Sequence, residues 1–337
     1  MEICTDVHAR NLVEFAKDKP EIIVFSGDLT GSTEISLFQQ TYPDRFFSLG
    51  MAEQNMLSWA GGMAREGFTP YLHTFAVFMY RRPYDQLAMS VAYPNLRVRM
   101  VGFLPGIMTP GGVTHQAVED LAVLRGMPNL TIFEMGDATD VESILDVAQP
   151  IDGPVYIRMI RKAIPRLFPA QERLEFNTAR ILSQGTDITL ISTGICTEEA
   201  MRATQILKEK GVSILHLHVT TIKPFSDPIV LEALSKAKHA VITMENHTII
   251  GGVGTAVAEM MAENGIGKNL VRIGIPDTFA HGAEARFLMR EYGLDAIALV
   301  HKVEALLGES FGIGEEDLAD LRLETSFSLS VEQLEAL

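Results

Sequence analysis

The chain has 337 residues, 47% apolar and 21% charged, with a formal net charge of −15; this is room for two domains of ordinary size, and the charge argues against nucleic acid or an anionic membrane as partner. No unbroken apolar run reaches the ~18 residues of a membrane span, and the charged N-terminus has no apolar core with a cleavage site, so a cytoplasmic location is expected. Two distant cysteines, Cys4 and Cys196, offer neither a disulfide framework nor a CxxC zinc motif.

Short apolar runs alternate with amphipathic stretches, which predicts an α/β fold: two domains, each with a mainly parallel sheet flanked by helices. In the first half, strands are expected at 22–27, 46–50, 97–103, 131–135 and 155–159, with a short joining piece at 69–74. Helices fit near 53–66, 82–92, 117–126 and 138–149. Pro165, Pro169 and Gly185 mark a break. The pattern then resumes with DITLISTG, a helix over TEEAMRATQILKEKG, SILHLHV, a helix near 226–237, HAVITMEN, a helix from 254 and VRIGIP. The expected division is a first domain at 1–165, a linker at 166–185, a second domain at 186–308 and an acidic tail or short docking helix at 309–337. A mean hydropathy of +0.15 suits a chain with a large core and a sizeable subunit interface.

Ligands of open α/β sheets sit beyond the carboxyl ends of the strands, so the loops after them carry the chemistry. Glu53 stands where a strand passes into an apolar, small-residue helix; it is either a first-turn acid favoured by the helix dipole or a working carboxylate. Phe75 and Phe78, three apart before Arg81-Arg82-Pro83, are either core aromatics or a wall for a flat heterocycle. Thr114-His115-Gln116 follows a Gly/Pro loop, where His115 is suited to proton transfer at neutral pH, unless it is structural. GGVG at 251–254 is either a phosphate cradle or a close helix–strand contact.

Taken in order, SGDLTGST, GMAEQNM, HTFAVFMYRRPYDQ, GGVTHQAVEDLA, MPN and DGPVYIR resemble the transketolases and their relatives. GTDITLISTG, TIKPFS, ENHTIIGGVGTAV and VRIGIPDTFAHG resemble their C-terminal domain. AYPN and RRPYDQ are most similar to the stand-alone C-terminal subunits of split transketolases. The resemblance implies thiamine diphosphate as cofactor and transfer of a two-carbon ketol unit between a ketose and an aldose, both typically phosphorylated. A deoxyxylulose-phosphate synthase-like or 2-oxoacid dehydrogenase beta-like subunit, and a non-catalytic regulatory subunit, are the alternatives.

By motif, Glu53 matches the glutamate on N1′ of the cofactor's aminopyrimidine, expected neutral in apolar surroundings. Phe75 matches the ring stacked on that pyrimidine, and Phe78 its neighbour. Asp28 and Leu29 match the loop that props the cofactor in its bent shape. His115 matches the histidine facing the substrate, and Arg161, with Arg158 as competitor, the arginine gripping a sugar phosphate. The family's GDG…Asn metal motif is absent: the only GD pairs are Gly27-Asp28 and Gly136-Asp137, the latter reading as a helix N-cap. No metal site is therefore expected here. Diphosphate and Mg2+ or Ca2+ fall to a partner N-terminal subunit, in an α2β2 heterotetramer. The substrate side departs from the family: Phe103 or Leu104 stands where a histidine is usual, and Pro110, Gly111 and Gly112 replace an acidic pair. A non-standard sugar is implied, and His73 becomes a candidate substitute contact or a core residue.

Overall fold

The computed structural model describes residues 2–319. Before the linker run β1 (Ile3–Cys4), β2 (Ile22–Ser26), β3 (Phe46–Ser48), β4 (Thr69–Phe75), β5 (Arg99–Phe103), β6 (Thr131–Glu134), β7 (Val155–Met159) and β8 (Ile164–Pro165). After them come β9 (Arg180–Ser183), β10 (Ile188–Ser192), β11 (Ile214–His218), β12 (Thr221–Lys223), β13 (Ala240–Thr248) and β14 (Asn269–Ile275). Seven form one sheet in the order β12-β6-β7-β5-β4-β2-β3, parallel except for β12. Five form a second, β14-β13-β10-β11-β9, parallel except for β9. Every residue of β2, β5, β7 and β10 is buried, as expected of parallel strands covered on both faces.

Several expectations need correction. The short joining piece is a full strand: β4 has seven buried residues and lies between β2 and β5. Pro70, His73 and Thr74 interrupt its apolar pattern; His73 pairs with His8, while Thr74 Oγ1 is buried without a partner. Helix Val7–Phe15 is an addition to the expected elements: Asp6 at its N-cap makes no side-chain cap, and the helix packs on helix Ala138–Ala148. The helix expected at 82–92 is a short α-turn, Tyr84–Gln86, followed by a π-helix, Leu87–Ala92. β9 falls within the linker, and β12 leaves the second unit to pair with β6 at the edge of the first sheet. Asp137 does cap helix Ala138–Ala148, accepting from Asp140 N at 2.8 Å.

Two glycines set close approaches near the site. A Cβ on Gly61 would lie 2.4 Å from Ser90 O, so helix Glu53–Arg65 rests directly on the π-helix. Gly106, at φ +61°, would bring a Cβ within 2.1 Å of Asn246 Oδ1, which accepts from Ile107 N across the domain boundary. In the tail, helix Glu315–Ala319 packs on helix Cys196–Glu209 with Leu318 buried, while 320–337 lie outside the described residues. No helix among the described residues is long and apolar enough to cross a membrane.

Candidate active site

The loops after β2, β4, β5 and β7 open on one edge of the large sheet, the carboxyl ends of its central strands. β4 ends at Phe75 and turns at once into helix Ala76–Tyr80. That turn brings Phe75 and Phe78 together, ring centroids 6.0 Å apart and planes 23° from parallel. His115 meets both edge-on, at 6.4 Å and 5.4 Å. Its Nδ1 lies 2.9 Å from Thr114 Oγ1. Burial first, then the charge of Arg82, holds its pKa below the ordinary 6.5, which favours a neutral ring at pH 7. The preceding loop is braced from both domains: Arg81 Nη1 donates to Val113 O at 3.0 Å, and Gln116 Nε2 to His281 O at 3.1 Å.

Glu53 opens helix Glu53–Arg65 and is 2% exposed. Its surroundings are not purely apolar, contrary to expectation: Arg82 Nη1 donates to Glu53 Oε1 at 2.7 Å. The same guanidinium sits 4.0 Å from the Phe78 ring centroid. Arg82 thus ties carboxylate, aromatic pair and histidine into one cluster. At the level of sequence RRPYDQ serves as a marker and Arg82 has no role; its place four residues after Phe78 was the available signal.

Arg161 follows β7 by two residues, 6% exposed and 5.5 Å from the Phe75 ring. Nη1 donates to Ser32 O at 2.6 Å, whereas Nε and Nη2 are buried without a partner. Those two N–H groups form the side edge of the guanidinium, the edge that grips an oxyanion with two parallel bonds. Burial lowers its pKa to about 10. Arg158, its competitor, is spent on structure: it is fully buried, with Nε 3.0 Å from Asp120, Nη1 2.5 Å from Glu134 and Nη2 3.0 Å from Asn246 O. His73 is also corrected to a core residue. It has no exposed surface, its Nε2 lies 3.0 Å from His8 Nε2, and its Nδ1 is 3.2 Å from Tyr71 O. Phe103 packs on this histidine pair and Leu104 is buried, so neither lines an open channel. Asp28 is exposed at φ +66° and Leu29 half-buried in the loop after β2. Among the described residues no hydrogen bond or ion pair joins either to Glu53 or Phe75.

The GGVG loop has an internal anion. Glu245 accepts from Val253 N at 2.6 Å and Gly254 N at 2.8 Å, and a Cβ on Gly252 would lie 2.0 Å from its carboxylate. Those N–H groups are therefore unavailable to a phosphate. Among the described residues no group of three or more His, Cys, Asp or Glu could hold a metal ion.

Residues 4–166 match the transketolase pyrimidine-binding domain and 177–298 the transketolase C-terminal domain. The chain belongs to the transketolase family. This transketolase-family chain is 36% identical to the 6-deoxy-6-sulfo-D-fructose transketolase subunit SqwH of a Clostridium species, over 88% of this chain and 91% of that protein. It is 33% identical to the 1-deoxy-D-xylulose-5-phosphate synthase of Carboxydothermus hydrogenoformans, covering 90% of this chain but 49% of the synthase. Among solved structures, a split-gene transketolase described as an inactive beta4 tetramer superposes with a TM-score of 0.81 at 35% identity, over 90% of this chain and 97% of that one. The family implies thiamine diphosphate. The residues present fit its aminopyrimidine end, with a buried carboxylate beside a near-parallel aromatic pair.

Proposed function

We propose that this chain is the pyrimidine-side subunit of a thiamine-diphosphate-dependent transketolase, active only with an N-terminal partner that holds the diphosphate and its Mg2+ or Ca2+. The observation that carries this reading is the convergence of buried Glu53, the Phe75–Phe78 pair and a partly exposed His115 at one sheet edge. Bound, the cofactor would supply the carbon nucleophile that carries a two-carbon ketol unit. This chain's residues do the rest. Glu53 holds a proton against a ring nitrogen, Phe75 offers its face to the heterocycle, and Asp28 and Leu29 flank the cofactor. His115, favoured neutral, takes and returns a proton at a substrate hydroxyl. The free edge of Arg161 grips an anionic group at the far end of a ketose.

A sulfofructose transketolase subunit among the relatives and the remodelled loop at Pro110–Gly112 together support a donor other than an ordinary ketose phosphate. The inactive homotetramer of the split-gene neighbour supports a need for the second subunit, and an α2β2 assembly in the cytoplasm is the expected working form.

Glu53→Gln in the reconstituted complex tests the reading. Proton-transfer groups are worth about 10²–10⁴ in rate, so turnover should fall by that factor with melting temperature nearly unchanged. A first-turn helix acid would instead contribute roughly 0.3–1 kcal/mol of stability and leave turnover intact. A folded Gln variant with wild-type turnover removes Glu53 from the mechanism.

A further inference from the structure

Beside Arg161 lie two further charged residues, Glu34 and Lys162, that the proposed reaction does not use. Glu34 is only 9% exposed, and its Oε1 accepts from Lys162 N at 2.6 Å. Both residues sit in the left-handed region, at φ +56° and +63°, a conformation that side-chain-bearing residues hold only when surroundings enforce it. Two residues before Glu34, Ser32 O takes the one engaged N–H of Arg161. The 32–34 turn and the 161–162 turn therefore grip each other at the Arg161 guanidinium, whose Nη1 they engage. The Lys162 ammonium has no ion-pair partner within 4 Å among the described residues. It is close enough to Arg161 and Glu34 to be affected by both, and burial together with Arg161 lowers its pKa.

Counting charge at this corner gives Arg161 and Lys162 positive and Glu34 negative. One more anion is balanced; a dianion is not, and the exposed Asp6 on Glu34's side adds to the imbalance. We propose that Glu34 and Lys162 make this anion pocket selective for a singly charged oxyanion on the far end of the ketose, such as a sulfonate, over a doubly charged phosphate. The inference rests on the reading of Arg161 as the substrate's anion contact. A phosphate monoester carries about −1.5 to −2 at neutral pH, so Glu34 repels it more than it repels a monoanion. Like charges held together in a buried pocket are a strong means of rejection.

The test compares 6-deoxy-6-sulfofructose with fructose 6-phosphate as donors to the reconstituted complex, and adds fructuronate to separate sulfonate from carboxylate preference. Wild type should favour a monoanionic donor in kcat/KM by about tenfold or more. Glu34→Gln should erode that ratio by about tenfold, chiefly through a gain on phosphate, and Lys162→Met should weaken all three donors. Preference of the wild type for phosphate overturns the proposal. So does an equal loss on every donor in Glu34→Gln, which a purely structural role would give. Should no donor be turned over, the transketolase reading fails and the pocket is judged separately, by titrating the isolated chain with methanesulfonate and methyl phosphate while following the Arg161 Nε–H resonance. A shift that saturates more tightly with methanesulfonate supports the selectivity; no shift, or tighter saturation with methyl phosphate, overturns it.

Discussion

Arg158 and Arg161, three residues apart at the end of β7, show how differently one side chain can be used. Arg158 is fully buried and answered by Asp120, Glu134 and a carbonyl. Removing one member of a buried ion cluster strands the others, at a cost of about 3–5 kcal/mol. Arg158→Gln should therefore lower stability in urea by that amount, and a loss under 1 kcal/mol would show the cluster to be dispensable. Arg161 is nearly as buried but answered by a single carbonyl, with two N–H groups idle. Replacing an uncompensated buried charge by an apolar side chain is neutral or stabilising. Arg161→Met should thus hold or raise the melting temperature. It should also raise KM for an anionic donor roughly tenfold or more, as expected on losing hydrogen bonds to a charged group. A variant that loses stability with KM unchanged would make Arg161 a structural residue.

At the scale of elements, the position of Glu53 depends on how helix Glu53–Arg65 lies against the π-helix Leu87–Ala92. Gly61 permits that contact, and the atom facing it is backbone, which cannot rotate aside. Gly61→Ala should cost about 1–3 kcal/mol as an overpacked contact. It should also depress turnover, although residue 61 touches no candidate site group, because the helix must shift to relieve the clash. Full turnover in a folded Gly61→Ala complex would show that the helix position tolerates adjustment. β12 is a second such element. It lies after β11 in sequence yet pairs with β6 in the first sheet, with Ile222 wholly buried. Ile222→Ala should cost about 2–5 kcal/mol, and it should lower a single melting transition for both domains. Two separated transitions, with only the second domain's affected, would argue against that coupling.

Across the molecule, four buried histidines are kept uncharged. Burial pushes His8 and His216 to about 3, His247 to about 4 and His73 well below 6.5. As pH falls below 6.5 the unfolded chain takes up protons at these sites and the folded chain does not, so stability is lost with falling pH. Four buried acids act in the opposite sense: Glu245 is raised to about 7 and Asp137 to about 6, and burial also raises Glu34 and Glu134, so in the folded state they protonate before their unfolded counterparts. Four histidines against four acids leave little net proton uptake on unfolding between about pH 6 and 4.5; below about 4.5 the unfolded acids protonate as well, so the histidines alone remain and stability is lost towards about pH 3. Urea denaturation at about pH 6, 4.5 and 3.5 should show a shallow change and then a decline, and no decline below about pH 4.5 would mean that the histidines ionise in place.

The sequence by itself determined the α/β class, the order of most strands and the family, because these follow from local periodicity and from contiguous motifs such as GMAEQNM and GGVTHQ. It also brought forward Glu53, Phe75, Phe78 and His115, through contiguous motifs whose resemblance to the family assigns them roles, while local pattern alone left each a structural alternative. What it could not reveal were pairings between distant segments. That β4 is a central strand depends on its pairing with β2 and β5; that His73 is core depends on His8, 65 positions away. The choice between Arg158 and Arg161, the guanidinium of Arg82 on Glu53 and the grip of Glu34 on Lys162 were likewise decided by tertiary structure alone. A charge's role is set by which opposite charges and carbonyls the fold brings within about 3 Å, and no local pattern encodes that distance.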